Sequence, residues 1–383
     1  MERIYLDNAA ATPLDKRVLQ AMMPFLTTQY GNPSSLHYFG QQARAAVQQA
    51  RGQLAHCLGV RSDGIVFTSG GTEADNLAIL GYLRANYPRG GHIITTAVEH
   101  QAVLQTFRWL GTKGYDVTIL PVNGEGYVAV DTVRQALRKD TIFISVMQGN
   151  NETGVIQPIK EIAALVRNTD IVFHVDAVQS FGYLPLRPDE DGIDMVTLCS
   201  HKIYGPKGVG ALYVRPGIAL AAEAFGGPQE HQLRAGTENV AAIVGFGEAA
   251  ALLEKERGLR YGHVCGLKQL FVEGLRCHAG LFHVNGAVEP ALPHVVNFSI
   301  RGVASDMLLI ALDMAGIAVS AGSACAAGAL EPSHVLMAMG VDSKWLHNSI
   351  RVSFGKDTTE SEVRQALCAI VKTVETMTGR GGM

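Results

Sequence analysis

The sequence predicts an α/β protein with a large domain built on a mostly parallel sheet and a second, smaller α+β domain. Short apolar runs alternate with helical patterns as far as about residue 215, which is the order of strands and helices in βαβ units. After about residue 255 the pattern changes to charged helical segments separated by a few strands. Hydrophobic residues make up 47% of the 383 residues and charged residues 17%, so the chain can bury a substantial core.

The first part of the chain contains the strands of the predicted parallel sheet. Residues 1–7 alternate like a strand, and apolar runs predict further strands at 65–69, 92–96, 117–122, 141–147, 171–175, 195–198 and 210–214. Between them, Thr72 opens a helix with Asp75 at capping-box spacing, and helices are predicted at 101–111 and 159–167. Helices between the strands imply a sheet that is covered on both faces.

The rest of the chain predicts the smaller domain. Its strands are predicted at residues 294–300, 317–320 and 349–354. Its helices are predicted at 306–315 with Ser305 as the cap, from Pro332 to Gly340, and from Thr359, capped together with Glu362, to about residue 376. We therefore predict a large domain over residues 13–255 and a small domain over residues 1–12 and 256–383.

Charge and cysteine content argue against several classes of protein. The net charge is -3, from 32 basic and 35 acidic side chains, which favours neither nucleic acid nor a membrane surface as a partner. The six cysteines contain no CxxC pair, so we predict no metal site, and a chain of this length needs no disulfide framework. The N-terminus lacks an apolar signal sequence, and Asp313 interrupts the most apolar stretch, 308–330. We expect a cytoplasmic protein.

A lysine follows one of the predicted sheet strands. Ser200-His201-Lys202 comes directly after the strand at 195–198, and parallel sheets bind ligands at the carboxyl ends of their strands. A lysine there can form a Schiff base with a carbonyl compound such as pyridoxal phosphate. A solvated loop lysine is the alternative, and Lys207 is a second candidate that the spacing does not exclude.

Three further positions suit the same cofactor. Gly70-Gly71-Thr72 lies at a strand-to-helix turn, where backbone N–H groups can bind a phosphate, although an ordinary tight turn has the same residues. Asp176 ends the strand at 171–175 and can either hold a pyridine nitrogen protonated or cap a helix. His100 can either stack on an aromatic ring and transfer protons or be structural.

Two residues of the smaller domain suit an amino-acid substrate. Cys325 lies among alanine, glycine and serine at 321–330, which predicts a loop that can carry a thiol into and out of a pocket; a buried free cysteine is the alternative. Arg351 can bind a carboxylate through two N–H groups or form a surface ion pair. Together these residues are typical of an amino-acid enzyme that uses pyridoxal phosphate, and the thiol indicates a reaction at sulfur.

From residue 3 to about residue 375 the sequence resembles the cysteine desulfurases of the NifS/IscS type, in the class V aminotransferase superfamily. The similarity lies in Tyr5-Leu6-Asp7-Asn8-Ala9-Ala10, Gly31-Asn32-Pro33-Ser34-Ser35, Phe67-Thr68-Ser69-Gly70-Gly71-Thr72-Glu73, Glu99-His100, Asn150-Asn151-Glu152, His174-Val175-Asp176, His201-Lys202, Arg234-Ala235-Gly236-Thr237 and Gly322-Ser323-Ala324-Cys325. The cysteine segment resembles the longer NifS/IscS kind rather than the shorter SufS kind.

The resemblance implies a fold-type-I pyridoxal phosphate enzyme that is a homodimer with sites at the subunit interface. Lys202 would carry the cofactor and remove the α-proton of L-cysteine. Cys325 would take the sulfur as a persulfide, leaving L-alanine, and pass it to an acceptor protein for iron–sulfur cluster assembly or for thiolation of tRNA and cofactors. The other implied residues are Gly71, Thr72 and His201 for the phosphate, Thr237 for the phosphate in the other subunit, Asp176 for the ring nitrogen, Gln179 for the ring hydroxyl, His100 for the ring face and proton transfer, Asn151 for the cofactor and the substrate carboxylate, and Arg351 for that carboxylate.

One position departs from the family pattern. The family usually has serine or threonine three residues before the lysine, to bind the phosphate, whereas this chain has Cys199 there and Ser200 one place later. Consecutive side chains of a strand point to opposite faces, so we expect that Ser200 does not replace the missing hydroxyl. Two other functions stay open: a selenocysteine lyase or aminotransferase with the same cofactor, and an assembly platform with slow catalysis, which would not need Lys202 and Cys325 together.

Overall fold

Thirteen short strands organise the computed structural model, which describes residues 3–287, 289–321 and 332–379. In chain order the strands are β1 (Ile4–Tyr5), β2 (Ile65–Thr68), β3 (His92–Thr96), β4 (Asp116–Leu120), β5 (Thr141–Ser145), β6 (Val172–Asp176), β7 (Met195–Cys199), β8 (Gly210–Val214), β9 (Phe282–Asn285), β10 (Val295–Ile300), β11 (Ile317–Ala318), β12 (Ser320–Ala321) and β13 (Ser349–Ser353). Most of the predicted strands are present: β3 and β8 have the predicted ends, and the ends of the others differ by up to three residues. The strand predicted at 317–320 is divided into β11 and β12.

Seven of these strands form the large sheet, in the order β2-β8-β7-β6-β5-β3-β4. The neighbours from β7 to β4 pair in parallel, and only β8 is antiparallel to the strands beside it. The prediction of a mostly parallel sheet is therefore confirmed. Asp176 of β6 pairs with Thr197 of β7, so these two strands end side by side and place Asp176 near the segment that follows Cys199.

Helices cover the large sheet and connect it to the rest of the chain. They are α1 (Lys16–Thr27), α2 (Tyr38–Leu58), α3 (Gly71–Asn76), α4 (Tyr82–Asn86), α5 (Gln101–Gly111), α6 (Val130–Ala136), α7 (Ile159–Val166), α8 (Pro188–Asp191), α9 (Val240–Arg276), α10 (Ser305–Met314), α11 (His334–Ala338), α12 (Ser343–Leu346) and α13 (Glu360–Met377). A π-helical turn, Leu77–Gly81, joins α3 to α4, and 3-10 turns lie at Ser62–Gly64, Ser200–Lys202 and Glu230–Gln232.

The long helix α9 packs against two separate hydrophobic cores. Its first half contributes residues as far as Leu253 to the core of the large sheet, and its second half, from Val264, packs in the core of the smaller sheet. That smaller sheet has the order β12-β13-β10-β9, while β1 pairs in parallel with β11 beside it. Residue 255 lies inside α9, between the two sets of contacts, and the division of the chain at that residue stays a prediction.

The helix caps show where the sequence patterns were reliable. Thr359 and Glu362 form the predicted capping box at the start of α13. The cap predicted from Thr72 and Asp75 is wrong, because α3 begins after Gly70 and Asp75 is buried beside His174, 3.8 Å away. The cap predicted at Ser305 is also wrong, since Ala304 precedes α10 and makes no side-chain cap bond.

Two features are absent from the described residues. Within residues 3–287, 289–321 and 332–379, no helix is both long enough and apolar enough to cross a membrane. Across the same part of the chain, histidine, cysteine, aspartate and glutamate form no cluster that suits a metal ion.

A buried ion pair anchors the segment after β8 to the large domain. The Arg51 guanidinium contacts both carboxylate oxygens of Glu230, at 2.6 and 2.8 Å, and both side chains are almost fully buried. Glu230 also accepts the backbone N–H of Phe67 at 2.7 Å. We expect Glu230→Gln to lower the free energy of unfolding by about 3–5 kcal/mol, because it leaves the Arg51 charge buried without a partner.

Denaturant unfolding of the Glu230→Gln variant measures this loss. The control is Asp63→Asn, which breaks the exposed pair with Arg61 (2.6 Å) and should leave the unfolding midpoint nearly unchanged. Equal unfolding midpoints for both variants and the parent protein would show that the buried ion pair does not stabilise the fold.

Candidate active site

One cavity of about 860 Å³ opens at the ends of β6 and β7, beside the start of α3. It collects residues that are distant in the sequence and come from both the large domain and the smaller sheet. The predicted site residues that line it are Gly71, Thr72, His100, Asn151, Asp176, Gln179, His201, Lys202 and Arg351. The competing lysine, Lys207, is exposed and does not line it.

Lys202 lies in this cavity because a 3-10 turn, Ser200–Lys202, follows β7 immediately. Its ammonium donates to the carbonyl oxygens of Ala9 and Ala10, both at 2.7 Å. Gln179 donates to the same Ala9 oxygen at 2.9 Å, and Ser353 fixes the Ala9 amide at 2.8 Å. The N-terminal segment therefore forms one wall of the site and holds the ammonium there, a contact that sequence reasoning did not predict.

Asp176 is a buried acid at the end of β6. Its carboxylate accepts the backbone N–H of Val178 at 2.9 Å. Burial raises the pKa of Asp176, while His100, the Val178 amide and Lys202 act in the opposite direction. A cationic group placed in the cavity beside Asp176 would favour the ionised carboxylate.

Two more buried acids lie near Asp176, and neither was among the predicted site residues. Burial, followed by the charge of Asp176, raises the pKa of Asp75 well above its usual value. Burial raises the pKa of Glu99 to about 8, although Thr96 donates to it at 2.6 Å and the Met147 amide donates at 3.0 Å. The only sequence signal for Glu99 was its place beside His100.

His174 of β6 lies beside one of these acids, with Nε2 3.8 Å from Asp75. It is fully buried between Ser145, 2.9 Å from Nδ1, and Thr197, 3.0 Å from Nε2. Burial lowers the pKa of His174 to about 3, so the ring is neutral. The acids at this end of the cavity therefore receive no positive charge from His174.

The other end of the cavity is a small polar pocket around Gly71. A Cβ atom at Gly71 would lie only 2.9 Å from Val178 Cγ2, so the absence of a side chain keeps this space open. His201 Nδ1 lies 3.0 Å from Cys199 Sγ, and burial, helped by Lys202 and Lys207, lowers the pKa of His201 to about 4. Backbone amides, the Thr72 hydroxyl and a neutral imidazole are suitable partners for a phosphate group.

Cys199 and Ser200 point in different directions, as expected for consecutive residues after a strand. Cys199 lines the cavity, and burial raises the pKa of its thiol against hydrogen bonds from the Gly71 and His201 backbones. The Ser200 hydroxyl is buried on the opposite side, only 2.0 Å from where a Cβ on Gly205 would stand. Ser200 therefore does not replace the missing hydroxyl at position 199.

Arg351 is the cationic side chain at the smaller-sheet side of the cavity. Its guanidinium donates to the Asn151 carbonyl at 2.9 Å and to Asp7 at 2.8 Å, and it is 2% exposed. Its Nε has no hydrogen-bond partner among the described residues. A buried arginine with donor capacity left at a cavity wall can bind a carboxylate.

His100 reaches the cavity from the start of α5. As the cap of that helix, its Nδ1 accepts the Ala102 amide at 3.2 Å, which orients the ring toward the cavity. Thr237 is exposed and does not line the cavity of its own chain, so its role in the other subunit stays a prediction. Cys325 lies outside the described residues.

The fold and the site together define a class of protein. A mostly parallel sheet carries a lysine, a buried acid and an anion pocket at its strand ends, and a smaller domain adds an arginine. The Aminotransferase class-V family model matches residues 4–366, and the chain belongs to this family.

Similar proteins narrow the class further. The chain is 48% identical over 379 residues to the putative cysteine desulfurase IscS 1 of Bacillus subtilis (strain 168), covering 99% of this chain and 100% of that protein. It is 45% identical to the cysteine desulfurase IscS of Dictyoglomus turgidum, covering 97% and 94%. A solved NifS-like protein superposes with a TM-score of 0.92 at 36% identity, covering 98% and 100%. Within its family the chain therefore belongs to the cysteine desulfurases, and the predicted fold-type-I architecture is confirmed.

Proposed function

We propose that this protein is a pyridoxal-phosphate-dependent cysteine desulfurase that converts L-cysteine to L-alanine and leaves a persulfide on Cys325. The observation that carries the proposal is the single cavity that joins Lys202 and Asp176 to Arg351. The similarity to named cysteine desulfurases over nearly the whole chain supports it.

The cavity has matching groups for each part of the cofactor. Gly71, Thr72 and His201 would bind the phosphate, and Asp176 would pair with the ring nitrogen. Gln179 would bind the ring hydroxyl, and His100 would cover one face of the ring. When bound, pyridoxal phosphate supplies an electron sink for negative charge at the α-carbon of an amino acid.

Lys202 and Arg351 then have separate tasks. Arg351 and Asn151 hold the substrate carboxylate and orient the α-carbon, and Lys202 takes the α-proton on Nζ. Before it can act as a base, Lys202 has to leave the Ala9 and Ala10 carbonyls, to which Nζ donates at 2.7 Å, and lose a proton from Nζ.

Cys325 supplies the nucleophile. Its thiolate attacks the substrate sulfur, an S–S bond forms, and the Cβ–S bond breaks. A proton then goes to Cβ, and Lys202 returns a proton to the α-carbon, so that L-alanine and a persulfide account for all atoms. Both described flanks of the segment that contains Cys325 reach the site. Ser320 lies 3.4 Å from the Arg351 guanidinium, and Pro332 lines the cavity.

We also propose the setting in which this reaction occurs. The protein would be a cytoplasmic homodimer in which Thr237 contributes to the phosphate site of the other subunit. Its sulfur would go to an acceptor protein, such as an iron–sulfur scaffold or a tRNA-thiolation protein. The exposed position of Thr237 supports the first part of this proposal.

A product analysis tests the reaction. The purified protein is loaded with pyridoxal phosphate and mixed with L-cysteine and a reductant, and alanine and sulfide are measured together. Alanine and sulfide are expected in equal amounts, each in large molar excess over the enzyme. Pyruvate and ammonia with sulfide would instead indicate β-elimination, which does not use Cys325. Turnover of selenocysteine without turnover of cysteine would indicate a selenocysteine lyase.

The cysteine at position 199 gives a prediction for cofactor binding. A thiol is a weaker hydrogen-bond donor than a hydroxyl, so Cys199→Ser should strengthen pyridoxal phosphate binding by about fivefold, the effect of one neutral hydrogen bond. Absorbance titration of the cofactor-free protein measures the dissociation constant. The control is Ser200→Ala, whose hydroxyl points away from the cavity and should not affect binding. Weaker cofactor binding by Ser200→Ala, or unchanged cofactor binding by Cys199→Ser, would contradict the placement of these two side chains.

A further inference from the structure

A second cavity, of about 220 Å³, lies between α9 and the segment 289–293 and shares no residue with the active-site cavity. Ile156, Val272 and Pro293 form apolar parts of its wall. Lys268 of α9 also lines it, although only 8% of this side chain is exposed. A lysine this deeply buried is rare unless its charge has a partner.

The charge of Glu289 is close enough to favour the ammonium form of Lys268, but the two side chains do not form a direct ion pair. The Lys268 ammonium donates to the carbonyl oxygen of Leu292 at 3.0 Å, which uses one of three N–H groups. Within the part of the chain that the structure describes, no carboxylate forms an ion pair with Lys268. Burial lowers the pKa of Lys268 to about 8, so at neutral pH the group is still mostly an ammonium ion.

Leu292, whose carbonyl accepts from Lys268, is held firmly in place. Its amide donates to the Gly154 carbonyl at 2.6 Å, and its side chain packs against Gly149, where a Cβ would lie 2.8 Å from Leu292 Cδ1. The carbonyl that accepts from Lys268 is therefore fixed on both sides. Lys268 lines the cavity, so the remaining N–H groups of the ammonium are available to a ligand there.

We propose that this cavity is a binding site for a small aliphatic carboxylate whose oxygens pair with Lys268 and whose carbon chain packs on Ile156, Val272 and Pro293. A carboxylate fits better than a phosphate for two reasons. The cavity is small and part of its wall is apolar. Glu273 and Glu289 also line it, and they repel a doubly charged anion more strongly than a singly charged carboxylate. Arg276 contributes a second positive charge.

Two probes of similar shape and opposite charge test the site. Calorimetric titration of the cofactor-loaded protein with propionate should detect binding, and n-propylammonium should not bind. Lys268→Met keeps a similar side-chain length but removes the charge, so propionate should bind at least about tenfold more weakly. Since Arg351 can also bind carboxylates, Arg351→Lys is the matched control, and it should keep the Lys268-dependent binding.

The pH dependence of propionate binding tests whether Lys268 is the group that holds the carboxylate. Propionate needs the ammonium form, so its affinity should fall as the pH rises through about 8, where Lys268 loses its proton. Tyr261, Cys265, Glu273, Arg276 and Glu289 also face the cavity. The same fall in the Tyr261→Phe and Cys265→Ser variants would assign the titration to Lys268.

Three results would overturn the proposal: equal propionate binding by Lys268→Met, preference for n-propylammonium, or a fall in affinity that disappears with Cys265→Ser. Where Lys268→Met does not fold, NMR of the protein with labelled lysine replaces it. Propionate should then raise the pKa of Lys268, and an unchanged value would reject the site. None of these measurements depends on desulfurase activity.

Discussion

Lys202→Ala is expected to abolish cysteine turnover, with a loss of at least about 10³-fold in kcat/KM. The substitution removes both the covalent attachment point of the cofactor and the base that takes the α-proton, and positioned proton transfer alone contributes about 10²–10⁴-fold. Absorbance should show cofactor that is no longer covalently attached, and borohydride should no longer fix it to the chain.

Lys207→Ala is the matched control for this variant. Lys207 follows Lys202 by five positions but is exposed and does not line the cavity, so its removal should leave the attached cofactor in place. Unchanged colour in Lys202→Ala together with lost colour in Lys207→Ala would move the cofactor to the other lysine and reject the site described above.

Cys325→Ala is expected to keep the cofactor and lose sulfur release, by an amount on the order of 10³-fold, because removing a covalent nucleophile stops the step that it performs. Mass spectrometry should find one extra sulfur on Cys325 in the parent protein after incubation with L-cysteine and no reductant. The variant should lack this mass.

Two other cysteines serve as controls. Cys277 and Cys368 are exposed, so reagents can reach them, but neither lines the active-site cavity. Their alanine variants should keep full activity and the persulfide on Cys325. Full activity in Cys325→Ala would show that sulfur leaves by another route, such as β-elimination.

The sequence patterns worked best where a residue's neighbours in the chain decide its surroundings. The strands β2, β3, β5 and β7 are fully buried, and such strands are visible as short unbroken apolar runs. The capping box of α13 was predictable because it is formed within four residues. The same rule failed for Asp75, whose carboxylate is directed into the core beside His174, 3.8 Å away.

Within the site, the motifs predicted which residues would be present but not which would touch. They indicated Lys202 and Arg351, yet gave no sign that Lys202 donates to Ala9 and Ala10. The ion pair between Arg351 and Asp7 joins positions 344 residues apart. The raised pKa of Glu99 depends on complete burial, which no single sequence reveals.

The sequence by itself determined the alternation of strands and helices, the type of sheet, and the residues with the chemistry for cofactor and substrate, because these depend on local periodicity and residue type. The tertiary structure alone decided which of those groups share a cavity and that Lys268 is buried beside a second one. The physical reason is that distances and burial arise from contacts between distant segments. Long-range packing determines how far each group is desolvated and which charges and hydrogen bonds surround it, and these together set its pKa.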